Sequence, residues 1–180
     1  GTYNAQAISG ENGAYGFVFS PSSPSGIPGI VNNGTVLAAG TYTLTLGGGA
    51  DVGAATASIN FPLTFAWTND AAVTSVDRSL PLTITWSGGT EAAQVLVEVQ
   101  SSASTTVSGT LLCHVDATLG TDTVPASLLS ALPPSFTLSG IPEGAVSVLE
   151  NMVGEFSASG LDFGTITYSD GINKGAVPIQ

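Results

Sequence analysis

Residues 80–86 read Leu-Pro-Leu-Thr-Ile-Thr-Trp, and this stretch decides the fold class of the chain. Its large apolar residues stand at every second position, with proline or threonine between them. A period of two is the pattern of a β-strand that turns one face to a core and the other to solvent. The stretch therefore predicts a half-buried strand.

The same alternation recurs on both sides of this stretch. It predicts strands at 41–46, 58–67 and 94–100, and shorter candidates at 3–8, 16–20, 110–115, 145–149, 155–159 and 164–168. Turn signals rich in glycine, asparagine and aspartate separate them, among them 47–49, 87–89, 119–122 and 169–171. Many short strands at such spacing are typical of an all-β antiparallel sandwich of the immunoglobulin-like, Greek-key kind.

Prolines interrupt the strand pattern at two places. Pro62 lies inside the run 58–67 and cannot donate to a strand ladder, so we expect a bend or a change of sheet there. The one helical candidate is Pro125–Leu132, because Pro125 suits the first helical position and Pro133-Pro134 ends the segment. We expect one short helical turn at the mouth of the sandwich.

Two regions of unequal size follow from this pattern. Residues 1–62 form an N-terminal β segment with a loop at 20–33 rich in proline, glycine and serine, and residues 63–180 form the sandwich. The N-terminal segment offers too few strands to bury a core by itself. We expect it to pack on the rest of the chain or on a neighbouring subunit.

A family resemblance is carried by Phe65-Ala-Trp-Thr-Asn69 and by residues 76–89, Val-Asp-Arg-Ser-Leu-Pro-Leu-Thr-Ile-Thr-Trp-Ser-Gly-Gly. These stretches resemble the opening strands of immunoglobulin-like or fibronectin type III-like modules, and are most similar to C-terminal modules of exported proteins of acidobacteria. The similarity continues through residues 123–133 and 156–163 to the C-terminus. The family has no assigned activity, so the resemblance implies a fold and export, and no chemistry.

Composition excludes several classes of partner. The 180 residues include 2 Lys and Arg against 13 Asp and Glu, for a formal net charge of −11. Binding to nucleic acid or to anionic lipid needs clustered basic residues, which this chain lacks. No apolar run reaches the roughly 20 residues that a membrane-spanning helix needs. The composition and the opening Gly-Thr-Tyr-Asn lead us to expect a secreted or cell-surface bacterial protein whose signal peptide has been removed.

Candidate catalytic and metal-ligating residues are few. Cys113 and the single histidine, His114, are neighbours on a predicted strand and point to opposite faces, so they form no catalytic pair. Zinc needs about four ligands, and these two residues do not supply them. We therefore predict no catalytic residue and no cofactor. Calcium stays an alternative to a solvated acidic rim, since it takes oxygen ligands from loop aspartates, here Asp51, Asp70, Asp77, Asp116 and Asp122.

Trp67 and Trp86 are the aromatic candidates for stacking on a glycan or other ligand. Both fall in register with the apolar face of their strands, which favours core packing. The sequence leaves the two interpretations open.

Unguarded strand edges are the feature that bears most on function. Natural β-proteins protect sheet edges with lysine and other charges, yet no predicted strand here contains a lysine. The uncharged segment at 176–180 and the one near the N-terminus are candidates for pairing with another chain. The N-terminal inter-subunit strand comprises Tyr3, Asn4, Ala5, Gln6, Ala7 and Ile8.

These observations favour a non-enzymatic structural protein of the cell surface that associates with itself, as a homo-oligomer or a filament, through strand pairing between chains. The alternative is a secreted carbohydrate- or ligand-binding module with an extracellular glycan as partner. An enzyme would need His114 or a close carboxylate pair in a pocket. An adaptor domain of a longer protein would show a strand without its partner.

Overall fold

The computed structural model describes residues 39–62 and 64–180, together with the backbone of four two-residue strands nearer the N-terminus. Contacts along the chain define two compact units, Gly1–Gly40 and Thr41–Gln180. The first unit thus ends before the boundary that the sequence predicts after residue 62. In the described part of the chain, no helix has the length and apolar character that crossing a bilayer requires.

Two short strand pairs are described in the first unit. Strands β1 (Gln6–Ala7) and β2 (Tyr15–Gly16) pair antiparallel, and β3 (Val18–Phe19) pairs parallel with β4 (Ile30–Val31). Two residues of the predicted inter-subunit strand, Gln6 and Ala7, are thus partnered within their own chain. The other four, Tyr3, Asn4, Ala5 and Ile8, lie outside the described residues.

The second unit is built from antiparallel sheets, which confirms the all-β class. In chain order its strands are β5 (Gly40–Leu46), β6 (Ala55–Phe61), β7 (Ala66–Trp67), β8 (Leu82–Ser87), β9 (Ala93–Ser102), β10 (Ser108–Asp116), β11 (Thr121–Val124), β12 (Thr137–Leu138), β13 (Ile141–Pro142), β14 (Gly144–Phe156) and β15 (Gly164–Gly175). They form a three-stranded sheet in the order β11-β8-β7, a four-stranded sheet in the order β10-β9-β14-β15, and the pairs β5-β6 and β12-β13. Helix α1 (Ala126–Leu129) is the single helical turn expected between the prolines.

One hydrophobic core joins the two larger sheets. Strand β8 contributes Ile84 and Trp86, and β9 and β14 contribute an inward row of valines: Val95, Val97, Val99, Val146 and Val148. Burial alternates along β8 and β9, as a period of two requires. Leu80 departs from the predicted pattern and is 58% exposed, because it precedes the strand in a turn where its N–H donates to the Asp77 carbonyl.

A second apolar cluster lies where β5 and β6 meet the far half of the β14–β15 hairpin. The rings of Tyr42, Phe61 and Tyr168 stack in sequence, with centroids 4.3 Å apart at each step. The Gly53 N–H donates to the Ser159 carbonyl at 2.8 Å, which ties the loops at this end together.

The predicted effect of Pro62 is confirmed, since the run around it divides into β6 and β7, which belong to different sheets.

Two predicted turns fall inside or beside strands. The prediction of a turn at 169–171 is wrong, because β15 runs without a break from Gly164 to Gly175. Gly171 has φ +153°, and a Cβ there would lie 2.1 Å from the Val148 carbonyl oxygen, so only glycine lets the strand pass. The turn at 119–122 is too long, since β11 begins at Thr121. The two strands predicted at 145–149 and 155–159 are one, β14, which ends at Phe156.

The C-terminal segment is paired within its own chain. Ile179 forms a parallel bridge with Val76, and the Arg78 N–H donates to the Gln180 carbonyl at 2.9 Å. Val177 and Ile179 are both 1% exposed in the core. Residues 176–180, predicted to pair with another chain, instead cover an edge of their own fold.

We predict that Ile84→Ala lowers the free energy of unfolding by about 2–5 kcal/mol, because it leaves a cavity in the core shared by the two sheets. Thr83→Ala is the matched control on the exposed face of the same strand, where the hydroxyl of Thr83 meets that of Thr123 at 3.2 Å. Its loss costs within about 1 kcal/mol. Urea unfolding followed by tryptophan fluorescence measures both, and equal losses would contradict the assigned faces.

Candidate functional site

Strand β10 is an open edge of the four-stranded sheet. Among the residues that the structure describes, β9 is its only strand partner, and the register between them is continuous from Ser108 to Asp116. The strand contains no lysine, arginine or proline, and its one acid is its last residue, Asp116. Lysine, proline and bulges are the devices that normally prevent edge pairing, and none of them occurs in this strand.

The other sheet edges differ from β10 in length or in charge. Strands β7 and β11 span two and four residues. Strand β15, at the opposite edge of the four-stranded sheet, carries Asp170 and Lys174. The Lys174 ammonium donates to the Asp70 carbonyl at 2.5 Å and so covers part of that edge. Strands β5 and β6, which pair only with each other among the described strands, span seven residues each and also lack charged residues. Strand β10, with nine residues, is the longest described edge without a basic residue.

The outer face of β10 presents five residues to solvent. These are Ser108, Thr110, Leu112, His114 and Asp116, and Leu112 is 56% exposed. On the neighbouring strand β9, Leu112 faces Glu98 and His114 faces Leu96. Glu98 accepts a hydrogen bond from the Gln100 amide, which occupies part of its acceptor capacity. The exposed surface of the strand thus carries hydroxyl groups, an apolar side chain and an imidazole, with its one acid at the end.

Cys113 and His114 lie on opposite faces of β10. Cys113 is half-buried against the core beside Leu111 and Val115, whereas His114 is exposed. Burial, and then the nearby Asp122 carboxylate, raise the pKa of the Cys113 thiol. A thiol with a raised pKa and no base on its face is a poor nucleophile. The arrangement supports packing for Cys113 and no joint chemistry with His114.

Both tryptophans are buried rather than displayed. Trp67 and Trp86 are 4% and 5% exposed and are partners in the β7–β8 register. The Trp67 indole N–H donates to Asn69 Oδ1 and that of Trp86 to the Ala117 carbonyl, both at 2.7 Å. Their rings fill the core and their polar atoms are satisfied inside the fold, so neither offers a stacking surface to a ligand.

Asp77 and Asp116 accept hydrogen bonds from residues of their own turns. Hydrogen bonds from the hydroxyl and N–H of Ser79 hold the pKa of Asp77 below its usual value, and the same groups of Thr118 do so for Asp116. Across residues 39–62 and 64–180, no three His, Cys, Asp or Glu side chains come together as a group that could hold a metal ion.

Glu150 is a buried acid that sequence reasoning missed. It is 0% exposed and lies in the inward row of β14, opposite Asp170 of β15. Oε1 accepts from the Thr90 N–H at 3.2 Å, and Oε2 is buried without a hydrogen-bond partner. Burial is the main cause that raises the pKa of Glu150; the Thr90 hydrogen bond opposes it and Asp170 adds to it. The signal was present in the sequence, as an acid at an inward position of an alternating apolar run.

Comparison of the chain with protein-family models, with curated proteins and with solved structures gives no match in any of the three.

We predict that Glu150→Gln stabilises the protein at neutral pH. The pKa of Glu150 is raised in the folded state, so folding binds a proton, and the penalty of the buried charge grows as pH rises from the ordinary carboxyl pKa through the folded one. The amide carries no charge and keeps an acceptor for the Thr90 N–H. The melting temperature of the variant should exceed that of the parent at pH 7 and converge with it near pH 4.

Glu155→Gln is the control for this experiment, since Glu155 is exposed on the same strand. A Glu150→Gln variant that melts lower than the parent at pH 7 would show that the carboxylate is stabilised in its buried site.

Proposed function

We propose that this chain is a non-enzymatic, extracellular or cell-surface structural protein of bacteria that associates with itself through pairing of β-strands. The observation that carries the proposal is the open edge of β10, a continuous strand without lysine, arginine or proline. An open edge of this length is a site of edge-to-edge association unless it is guarded. Backbone hydrogen bonds would supply the affinity, as in other cases of strand addition.

We further propose an immunoglobulin-like sandwich of the fibronectin type III kind for residues 63–180. Lettering β7, β8, β9, β10, β11, β14 and β15 as A, B, C, C′, E, F and G gives one sheet of A, B and E and another of C′, C, F and G. This division between two sheets follows the immunoglobulin-like plan. The core shared by both sheets supports the same assignment.

Export is supported by composition. A net charge of −11 with only two basic residues would keep assembled copies from aggregating laterally. The alternative, a glycan-binding module, depends on an exposed aromatic platform. The burial of Trp67 and Trp86 gives that alternative no support.

A positive charge introduced on the β10 edge tests the proposed self-association. We predict that Thr110→Lys raises the dissociation constant for self-association by at least about tenfold, equivalent to roughly 1.4 kcal/mol, because a solvated ammonium on an edge strand resists pairing. Multi-angle light scattering across a concentration series measures it. Gln94→Lys makes the same charge change on an exposed position of the interior strand β9 and should leave association unchanged.

Circular dichroism of both variants confirms that the fold is kept. A parent protein that is monomeric at every concentration would overturn the proposed function. Equal effects of the two substitutions would show that net charge, and not the edge, governs association.

A further inference from the structure

We infer that the partner strand is β10 of a second copy, paired antiparallel about a two-fold axis at Leu112. This inference rests on the proposed function and deepens it by naming the interface, its register and its symmetry. Leu112 is the central residue of Ser108–Asp116, so an axis there pairs every residue of the strand. Isologous two-fold contacts are the commonest way in which identical chains associate.

The absence of opposed like charges supports a second copy as the occupant. In this register Asp116 of one copy faces Ser108 of the other, and Thr110 faces His114. No acid faces an acid, which matters because each copy carries a net charge of −11. Residues 99–115 contain no Asp, Glu, Lys or Arg, so the approaching strands are nearly uncharged. The nearest outer-face acid, Glu98, is on β9 opposite Leu112.

The two Glu98 residues stay apart in the paired state. Four strands would lie in the order β9, β10, β10 and β9, so the two carboxylates are three strand spacings apart, about 14 Å. That separation exceeds the Debye length of about 8 Å at physiological ionic strength, and their repulsion is largely screened.

Apolar burial supplies a second argument for this register. The axis places Leu112 of one copy against Leu112 of the other, and covers the most exposed large apolar side chain of the strand. On the inner face, Leu111 of one copy faces Cys113 of the other, and both already pack beside the core. Directly opposed apolar pairs of this kind stabilise antiparallel strands. The two four-stranded sheets would become one sheet of eight strands.

The opposite edge is a poorer partner for β10. Strand β15 carries Asp170 and Lys174, and the Lys174 ammonium is already bonded to the Asp70 carbonyl. Pairing β10 with β15 of the next copy would also be head-to-tail, which gives open chains rather than a closed dimer. The size of the assembly thus separates the two arrangements.

Cysteine pairs test the register. In a Cys113→Ser background, we expect a mixture of Thr110→Cys and His114→Cys proteins to form a disulfide-linked dimer under mild oxidation, since these positions face each other. Each variant alone should not, because its own cysteines lie four residues apart along the strands, about 13 Å. Leu112→Cys alone should cross-link with itself. Non-reducing electrophoresis and intact mass measure the products.

A mixture of Leu112→Cys and His114→Cys proteins reports the next two-fold register, in which Leu112 faces His114. A hetero-dimer from that pair in place of the Thr110–His114 dimer would overturn the Leu112-centred axis. Association that persists without any of these cross-links, while Thr110→Lys still weakens it, would overturn the pairing of β10 with β10 and leave the proposed function of the edge standing. A parent protein that stays monomeric would overturn the proposed function itself.

Discussion

The backbone ladder of β14 is the interaction on which the second unit depends. This strand pairs with β15 from Ala145 to Phe156 and with β9 from Gly144 to Met152. Its first half turns Val146 and Val148 into the core shared by the two larger sheets. Its second half lies by β6, where a Cβ on Gly154 would be 3.6 Å from the Ser58 carbonyl oxygen. A slip of one residue would turn the inward row of both halves outward, so one register specifies both clusters.

The scarcity of basic residues accounts for two further features, the buried acid Glu150, which lacks a basic partner among the described residues, and the lysine-free edge of β10. The two that exist are bound to backbone carbonyls, Arg78 Nη1 to Leu132 at 2.8 Å and Lys174 Nζ to Asp70. Neither is bonded to the buried Glu150, whose carboxyl instead meets Asp170 across the ladder. Neither lies on β10. A buried carboxyl with a raised pKa and an edge without lysine are thus two consequences of one composition.

The C-terminal segment is paired within the chain, whereas strand β10 has one strand partner among the described residues. Ile179 and Gln180 pair with Val76 and Arg78, so the C-terminal segment completes the fold instead of reaching outward. Among the described strands, β10 is the longest sheet edge without a basic residue, and its register with β9 is continuous. Among the described side chains, no three His, Cys, Asp or Glu residues come together as a group that could hold a metal ion, and Cys113 and His114 face apart.

Local periodicity by itself predicted most of the longer strands and the face that most residues take within them. The alternation at 80–86 defined the β8 core face, Pro62 marked a change of sheet, and neighbouring positions separated Cys113 from His114. Only the tertiary structure decided that β10 is an edge, that Asp170-Gly171 continues a strand instead of turning, and that Glu150 is enclosed. The physical reason is that these outcomes depend on which distant strands pair, as Glu150 with Asp170 and Gly171 with Leu149, and a period of two is the same whichever partner a strand takes.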